Sequence, residues 1–274
     1  MSRPPRIEID NGVYHVTARG NERQLIFRDD HDHERFLEIL ARVARRFRWR
    51  VLCYCLMGNH YHVLVLTLEA NLARGMRQLN GVYAQWFNRR HERVGHLVQG
   101  RYKAVLVQHD GHLANSLRYI VRNPTRSGIV QHVDEWRWAS HAEIIGTTKR
   151  AIISIPHLLS YLGADTKSAR ARYLELVHDP TEPRSSSHPL LDGDDDFVDE
   201  HLALLRPSPE HPSAGVRATQ PDIADLVRDR NDHAGIRCAS VEHGYSLRQI
   251  ATHVGCSTAT IHRRLVRQLD DDMS

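Results

Sequence analysis

Neither a disulfide framework nor a membrane-spanning segment is written into this chain of 274 residues. Its four cysteines, Cys53, Cys55, Cys238 and Cys256, are scattered and lack zinc-type spacing. No apolar run approaches the roughly 18 residues that span a bilayer, and Met1 through Glu8 has no apolar stretch like that of a secretory leader. A reducing, cytoplasmic setting without a membrane partner is the expectation. Lysine is nearly missing too: Lys103, Lys149 and Lys167 are the only three, so the positive charge is arginine. Arginine makes planar, bidentate contacts to phosphate and stacks on bases, which favours a polyanionic partner such as nucleic acid. An arginine-rich coding bias would give the same enrichment without any partner.

The formal net charge of +4 conceals an uneven distribution. Residues 1–150 hold 24 Lys and Arg against 14 Asp and Glu, whereas residues 151–200 hold 4 against 10, and the remainder balances. The basic portion also holds the clearest periodicities. Val13 to Arg19 alternates as a strand, residues 34–46 repeat at helical spacing, and Arg48 to Met57 is again strand-like. Gly58-Asn59 signals a turn into a further strand, giving an antiparallel hairpin. Residues 71–91 form an amphipathic helix through Leu72, Met76, Leu79, Tyr83 and Trp86. After a loop over Gly95 to Tyr102, Lys103 to Gln108 returns to strand character, and residues 110–122 are helical through Leu113, Leu117, Ile120 and Val121. Asn123-Pro124 ends that helix. This order predicts an α+β fold, helices on one antiparallel sheet, over residues 1–150.

Pro, Ser, Asp and Gly then accumulate between about 180 and 220, and residues 151–218 are expected to be an acidic, partly ordered linker with a short helix at Phe197 to Leu205. Residues 219–270 are expected to form a small all-α helix-turn-helix domain. Within it, Ser246 and Gln249 suit a capping box, Leu247, Ile250, Ala251 and Val254 an apolar face, and Gly255 a turn before Ser257. Its second helix would present Thr258, His262, Arg263 and Arg267 to a major groove. A three-helix bundle without DNA affinity fits the same spacing.

Chemistry is suggested by Met57-Gly58-Asn59-His60-Tyr61-His62-Val63. Alternation along a strand puts His60 and His62 on one face and Tyr61 on the other, with Cα atoms ~7 Å apart, close enough to bracket one metal ion. His31 and His33 have the same spacing but stand among Asp29, Asp30, Asp32 and Glu34 before a helix, which reads as a solvated, capped helix start. Tyr119 and Asn123, four residues apart, share a helix face. One helix could deliver a hydroxyl nucleophile and an amide oxygen that completes a mixed nitrogen and oxygen shell suited to Mg²⁺ or Mn²⁺. A phenol is mostly protonated at neutral pH, so attack on phosphorus needs electrostatic help. Each residue also has a plain structural role open to it: Tyr119 as a core aromatic, Asn123 as a helix cap, the histidines as buried polar groups. Tyr83 lies in an apolar stripe, and Tyr102, in Gln99-Gly100-Arg101-Tyr102-Lys103, remains a rival nucleophile beside the expected DNA contacts Arg101 and Lys103. Arg118 and Arg122, flanking Tyr119, are expected to contact DNA as well.

His60-Tyr61-His62 after Gly58-Asn59, then Gly95-His96 with Gln99 to Lys103, then Tyr119 through Asn123-Pro124, occur in the order found in the REP-associated tyrosine transposases, a branch of the HUH single-strand transposases and nucleases. Over about residues 10–145 the chain resembles that family. The resemblance implies a ferredoxin-like or RRM-like sheet, and metal-dependent cleavage and rejoining of single-stranded DNA through a 5′-phosphotyrosine. It further implies Tyr119 as nucleophile, His60, His62 and Asn123 as metal ligands, and hairpin-bearing, REP-like palindromes as substrate. A nucleoid-associated location and a monomer or homodimer are separate expectations. Two other readings are an inactive, domesticated DNA-binding regulator and a single-stranded RNA-binding protein that stacks bases on an exposed aromatic sheet.

Overall fold

The computed structural model describes residues 7–109, 111–179, 181, 190–203, 223–229, 231–237, 239, 247–257 and 260–261. The chain separates into two compact units, residues 1–216 and 217–274.

The first unit follows the predicted order: β1 (Gly12–Arg19), α1 (Asp30–Arg46), β2 (Trp49–Leu56), β3 (His60–Thr67), α2 (Leu72–Arg90), β4 (Lys103–Val107) and α3 (Gly111–Val121). Short helices α4 (Asn123–Arg126), α5 (His141–Ile145) and α6 (Ile155–Ser160) follow, then α7 (Thr166–His178), β5 (Leu191–Asp192) and α8 (Asp195–Ala203). The sheet runs β2-β3-β1-β4-β5. Its first four strands are antiparallel, and the β2–β3 hairpin closes through Met57 N–H to His60 O at 2.8 Å. With a helix between β1 and β2 and another between β3 and β4, this is the ferredoxin-like arrangement expected. The added β5 pairs parallel to β4, so the sheet is not wholly antiparallel.

Strand alternation sorts the side chains onto two covered faces. Tyr61 points toward α1 and α2, packing on Phe36 at 4.6 Å between ring centroids and donating to Asn80 Oδ1 at 2.6 Å. Phe27, Phe36 and Tyr83 extend this aromatic core, and each such side chain contributes about 1.5–3 kcal/mol by leaving water. The opposite face lies under α3, whose Leu113, Leu117, Ile120 and Val121 are buried as the helical spacing predicted. Every residue of β3 is buried. No open aromatic platform is therefore left on that strand.

Several expectations need correction. Residues 151–178 are not linker: Ile153, Leu158, Tyr173 and Val177 join the core of the first unit, and His141 Nδ1 meets Tyr173 Oη at 2.8 Å. Their apolar side chains bury more surface on the domain than a solvated linker could. The boundary expected at 150 thus falls inside the first unit. The helix expected at Phe197 to Leu205 is α8, beginning at Asp195. The segment at His31 and His33 is capped as predicted, Asp29 accepting from Asp32 N–H at 3.1 Å, and Asp29, Asp30, His31 and Glu34 are exposed as expected, but Asp32 and His33 are not. Asp32 is fully buried against Arg90 and His91, and His33 is stacked between Phe27 and Trp138.

The second unit has α9 (Ile223–Leu226), α10 (His233–Arg237) and α11 (Leu247–His253) around Val227, Ile236, Ala239, Ile250, Ala251 and Ile261. Gly255 takes the left-handed conformation (φ 66°) that a glycine turn allows, and Ser257 Oγ accepts from Thr260 N–H at 3.2 Å. Thr258, His262, Arg263 and Arg267 lie outside the described residues. Among the described residues no helix is long and apolar enough to cross a membrane.

Candidate active site

The face of the sheet beneath α3 gathers residues from three elements. The register sets Thr17 opposite His62 and Arg19 opposite His60, while Lys103 of β4 pairs with Thr17 from the other side. His15, Thr17 and Arg19 therefore alternate onto the same face as His60 and His62.

Each ligand-candidate imidazole is fixed through its Nδ1 atom. His60 Nδ1 lies 2.7 Å from Asn59 Oδ1, and the ring also hydrogen-bonds the Asn123 side chain. His62 Nδ1 lies 2.8 Å from His15 Nε2 and 3.1 Å from Thr17 Oγ1. His62 Nε2 is buried with no hydrogen-bond partner among the described residues. A buried polar atom left in that state is costly and calls for a ligand. His60, His62 and Asn123 are all buried, and the two rings stand 5.1 Å apart nearly edge to face.

The site keeps its histidines neutral. Burial, reinforced by the Arg19 charge and opposed by the Asn123 hydrogen bond, pushes His60 down to about 4. Burial and then the Lys103 charge push His15 down to about 4. Burial above all holds His62 well below the ordinary range, with His15, His60 and Arg19 adding to it. Neutral imidazoles are the form that binds metal. Among the described residues no three His, Cys, Asp or Glu side chains converge as a metal cluster, so an amide oxygen from Asn123 would have to complete the shell. Two imidazoles, one of them with its Nε2 orphaned and buried, and one amide fit a divalent cation with positions left for phosphate and water.

Tyr119 faces this group. Its half-buried ring lies 5.7 Å from His62 and 5.8 Å from His15, and the exposed Arg126 guanidinium covers it at 4.7 Å, a cation–π distance. Asn123 does not simply end α3. It opens α4, with Arg122 still close to helical and its N–H bonded to Arg118 O at 3.0 Å, so Asn123 stays one turn beyond Tyr119. The helix itself is held near both ends. Asp192 of β5 accepts from Ser116 Oγ at 3.2 Å and meets His112 Nδ1 at 2.9 Å, while Asp179 pairs with Arg118 at 2.9 Å.

The remaining expected residues divide. Lys103 is exposed and close enough to depress His15, placing a cation at the edge of the site. Arg101 is exposed on the preceding loop. Arg118 is instead buried and paired with Asp179 and Thr181, and Arg122 donates to the Asp179 carbonyl, so both serve the docking of α3. Burial above all raises the pKa of Tyr14 and of Tyr61, with a smaller contribution from Tyr102 in each, and those two side chains lie on the α1–α2 face, away from the histidines. His15, Thr17, Arg19 and Arg126 were not anticipated. The parity of His15, Thr17 and Arg19 along β1 was the available signal, but only the register joins it to His62.

Residues 8–123 match the family model described as Transposase IS200 like. A Haemophilus influenzae protein described as a REP-associated tyrosine transposase is 25% identical over 157 residues, spanning 51% of this chain and 85% of that protein. A solved REP-associated tyrosine transposase bound to a REP hairpin aligns with 15% identity and a TM-score of 0.47, covering 69% of this chain and all of that one.

Proposed function

We propose that this chain, whose residues 8–123 match the family model described as Transposase IS200 like, cleaves and rejoins hairpin-bearing single-stranded DNA, with Tyr119 as nucleophile. The observation that carries this reading is the placement of the Tyr119 ring 5.7 Å from that of His62, which lies beside His60, the imidazole that hydrogen-bonds the Asn123 side chain. The Tyr119 oxygen attacks phosphorus and the bond from phosphorus to the 3′ oxygen breaks. The phenolic proton is lost to water and the departing 3′ oxygen takes up a proton to become a hydroxyl. The 5′ phosphate remains esterified to Tyr119, and because the phosphoester is retained, a 3′-OH can reverse the step and join strands.

His60, His62 and Asn123 would hold the divalent cation, Mg²⁺ or Mn²⁺, which when bound polarises a phosphate oxygen and offsets charge on the leaving oxygen. Arg126 orients the Tyr119 ring through its cation–π contact, while Arg19, Lys103 and Arg101 supply positive charge along the path of the strand. Arginine-rich surroundings and a half-buried phenol suit a phosphodiester better than a neutral substrate. A cytoplasmic setting with access to DNA accords with this reading.

The test is cleavage of a labelled, hairpin-bearing oligonucleotide by the full chain. Shortened product ending in a 3′-OH is expected with Mn²⁺ or Mg²⁺ and is expected to vanish with a chelator. Absence of product across several hairpins with both metals would overturn the proposal.

A further inference from the structure

We propose that His15 is a positioning residue for His62: its Nε2 accepts the His62 Nδ1 proton and thereby presents the unprotonated Nε2 of His62 to the divalent cation. The inference rests on reading His60, His62 and Asn123 as the cation's ligands. An imidazole that binds through Nε2 must carry its proton on Nδ1, and the partner of Nδ1 decides whether it does. Asn59 fills that role for His60, through Oδ1 at 2.7 Å. For His62 two candidates are present, His15 Nε2 at 2.8 Å and Thr17 Oγ1 at 3.1 Å. A threonine hydroxyl can donate or accept, so by itself it leaves the tautomer of His62 open. His15 settles it when its own proton lies on Nδ1. The two imidazoles then form a directed contact, with the proton of His62 toward β1 and its lone pair at the orphaned Nε2.

His15 is also placed to resist rotation of the His62 ring. The two ring centroids are 5.1 Å apart, and the edge of the Tyr119 ring closes the third side at 5.8 Å from His15 and 5.7 Å from His62. A single residue of β1 thus touches both the ligand and the nucleophile's ring without being either.

The experiment is Mn²⁺ titration of the full chain by calorimetry, without DNA, for the wild type, His15→Phe, His15→Gln and His62→Ala. Phenylalanine keeps the ring volume and removes the acceptor, and glutamine keeps an acceptor on a flexible side chain. His15→Phe is expected to bind Mn²⁺ about 10–100-fold more weakly with little change in metal-free melting temperature, and His15→Gln to recover much of the loss. Wild-type affinity in His15→Phe while His62→Ala has lost binding would overturn the role of His15 alone. Equal binding by wild type and His62→Ala, or none by the wild type, would overturn the metal-site reading and this inference with it. Long-range ¹H–¹⁵N spectra of the metal-free wild type give a readout independent of how the variants fold. They are expected to show His62 protonated on Nδ1, and protonation on Nε2 would overturn the proposal.

Discussion

Arg118 donates from Nη1 to Asp179 Oδ2 at 2.9 Å, so the cation beside Tyr119 in the chain is held by an acidic partner and ties α3 to the end of α7. Lys103, by contrast, is exposed at the edge of the histidine face. The two should therefore respond differently to substitution. Lys103→Ala is expected to weaken DNA binding and to reduce the salt dependence of log K by about one unit of slope. Arg118→Met is expected to lower the melting temperature and leave that slope unchanged. Titrations at several salt concentrations check both.

Packing on the other face gives a stability prediction. Gly75 of α2 sits against the Trp49 ring, which an added methyl group would overlap, and Trp49 is anchored by donation from Nε1 to Asn71 Oδ1 at 2.7 Å. Gly75→Ala is expected to destabilise the fold by about 1–3 kcal/mol despite its better helix propensity. Urea denaturation reads the change.

Acid should loosen the metal-free protein through its buried histidines. His15 and His60 are pushed down to about 4, and His62, His33 and His141 shift in the same direction, burial being the largest cause in each. An unfolded histidine takes up its proton near 6.5, so the unfolded state binds protons first as pH falls. Stability contributed by these groups is full above about 6.5 and is lost progressively toward pH 4. Denaturation midpoints measured from pH 7.5 to 4 are expected to fall across that window, and to fall less in His15→Phe.

Much of this site is legible without coordinates, because alternation and helical spacing are local. His60 and His62 share a face by parity, and Tyr119 and Asn123 share one by helical spacing. The neighbours of His62 are not legible in that way: His15 lies 47 residues away and meets it only because β1 and β3 pair in one register. Arg118 and Arg122 were misread because their positive charge says nothing about which side of α3 Asp179 covers. The acidic composition after residue 150 concealed Tyr173 and Val177, whose burial depends on α7 finding the domain. β5 is two residues long, too short for any periodicity.

Identification of the residue that becomes covalently attached to DNA tests the central claim most directly. The full chain would be incubated with a hairpin-bearing oligonucleotide and Mn²⁺, the adduct recovered under denaturing conditions, digested and sequenced by mass spectrometry. The mass of the bound nucleotide fragment is expected on Tyr119, with the adduct lost in Tyr119→Phe, retained in Tyr102→Phe, and DNA binding preserved in both. A nucleotide on Tyr102 or any other residue, or an adduct that survives Tyr119→Phe, would contradict the account.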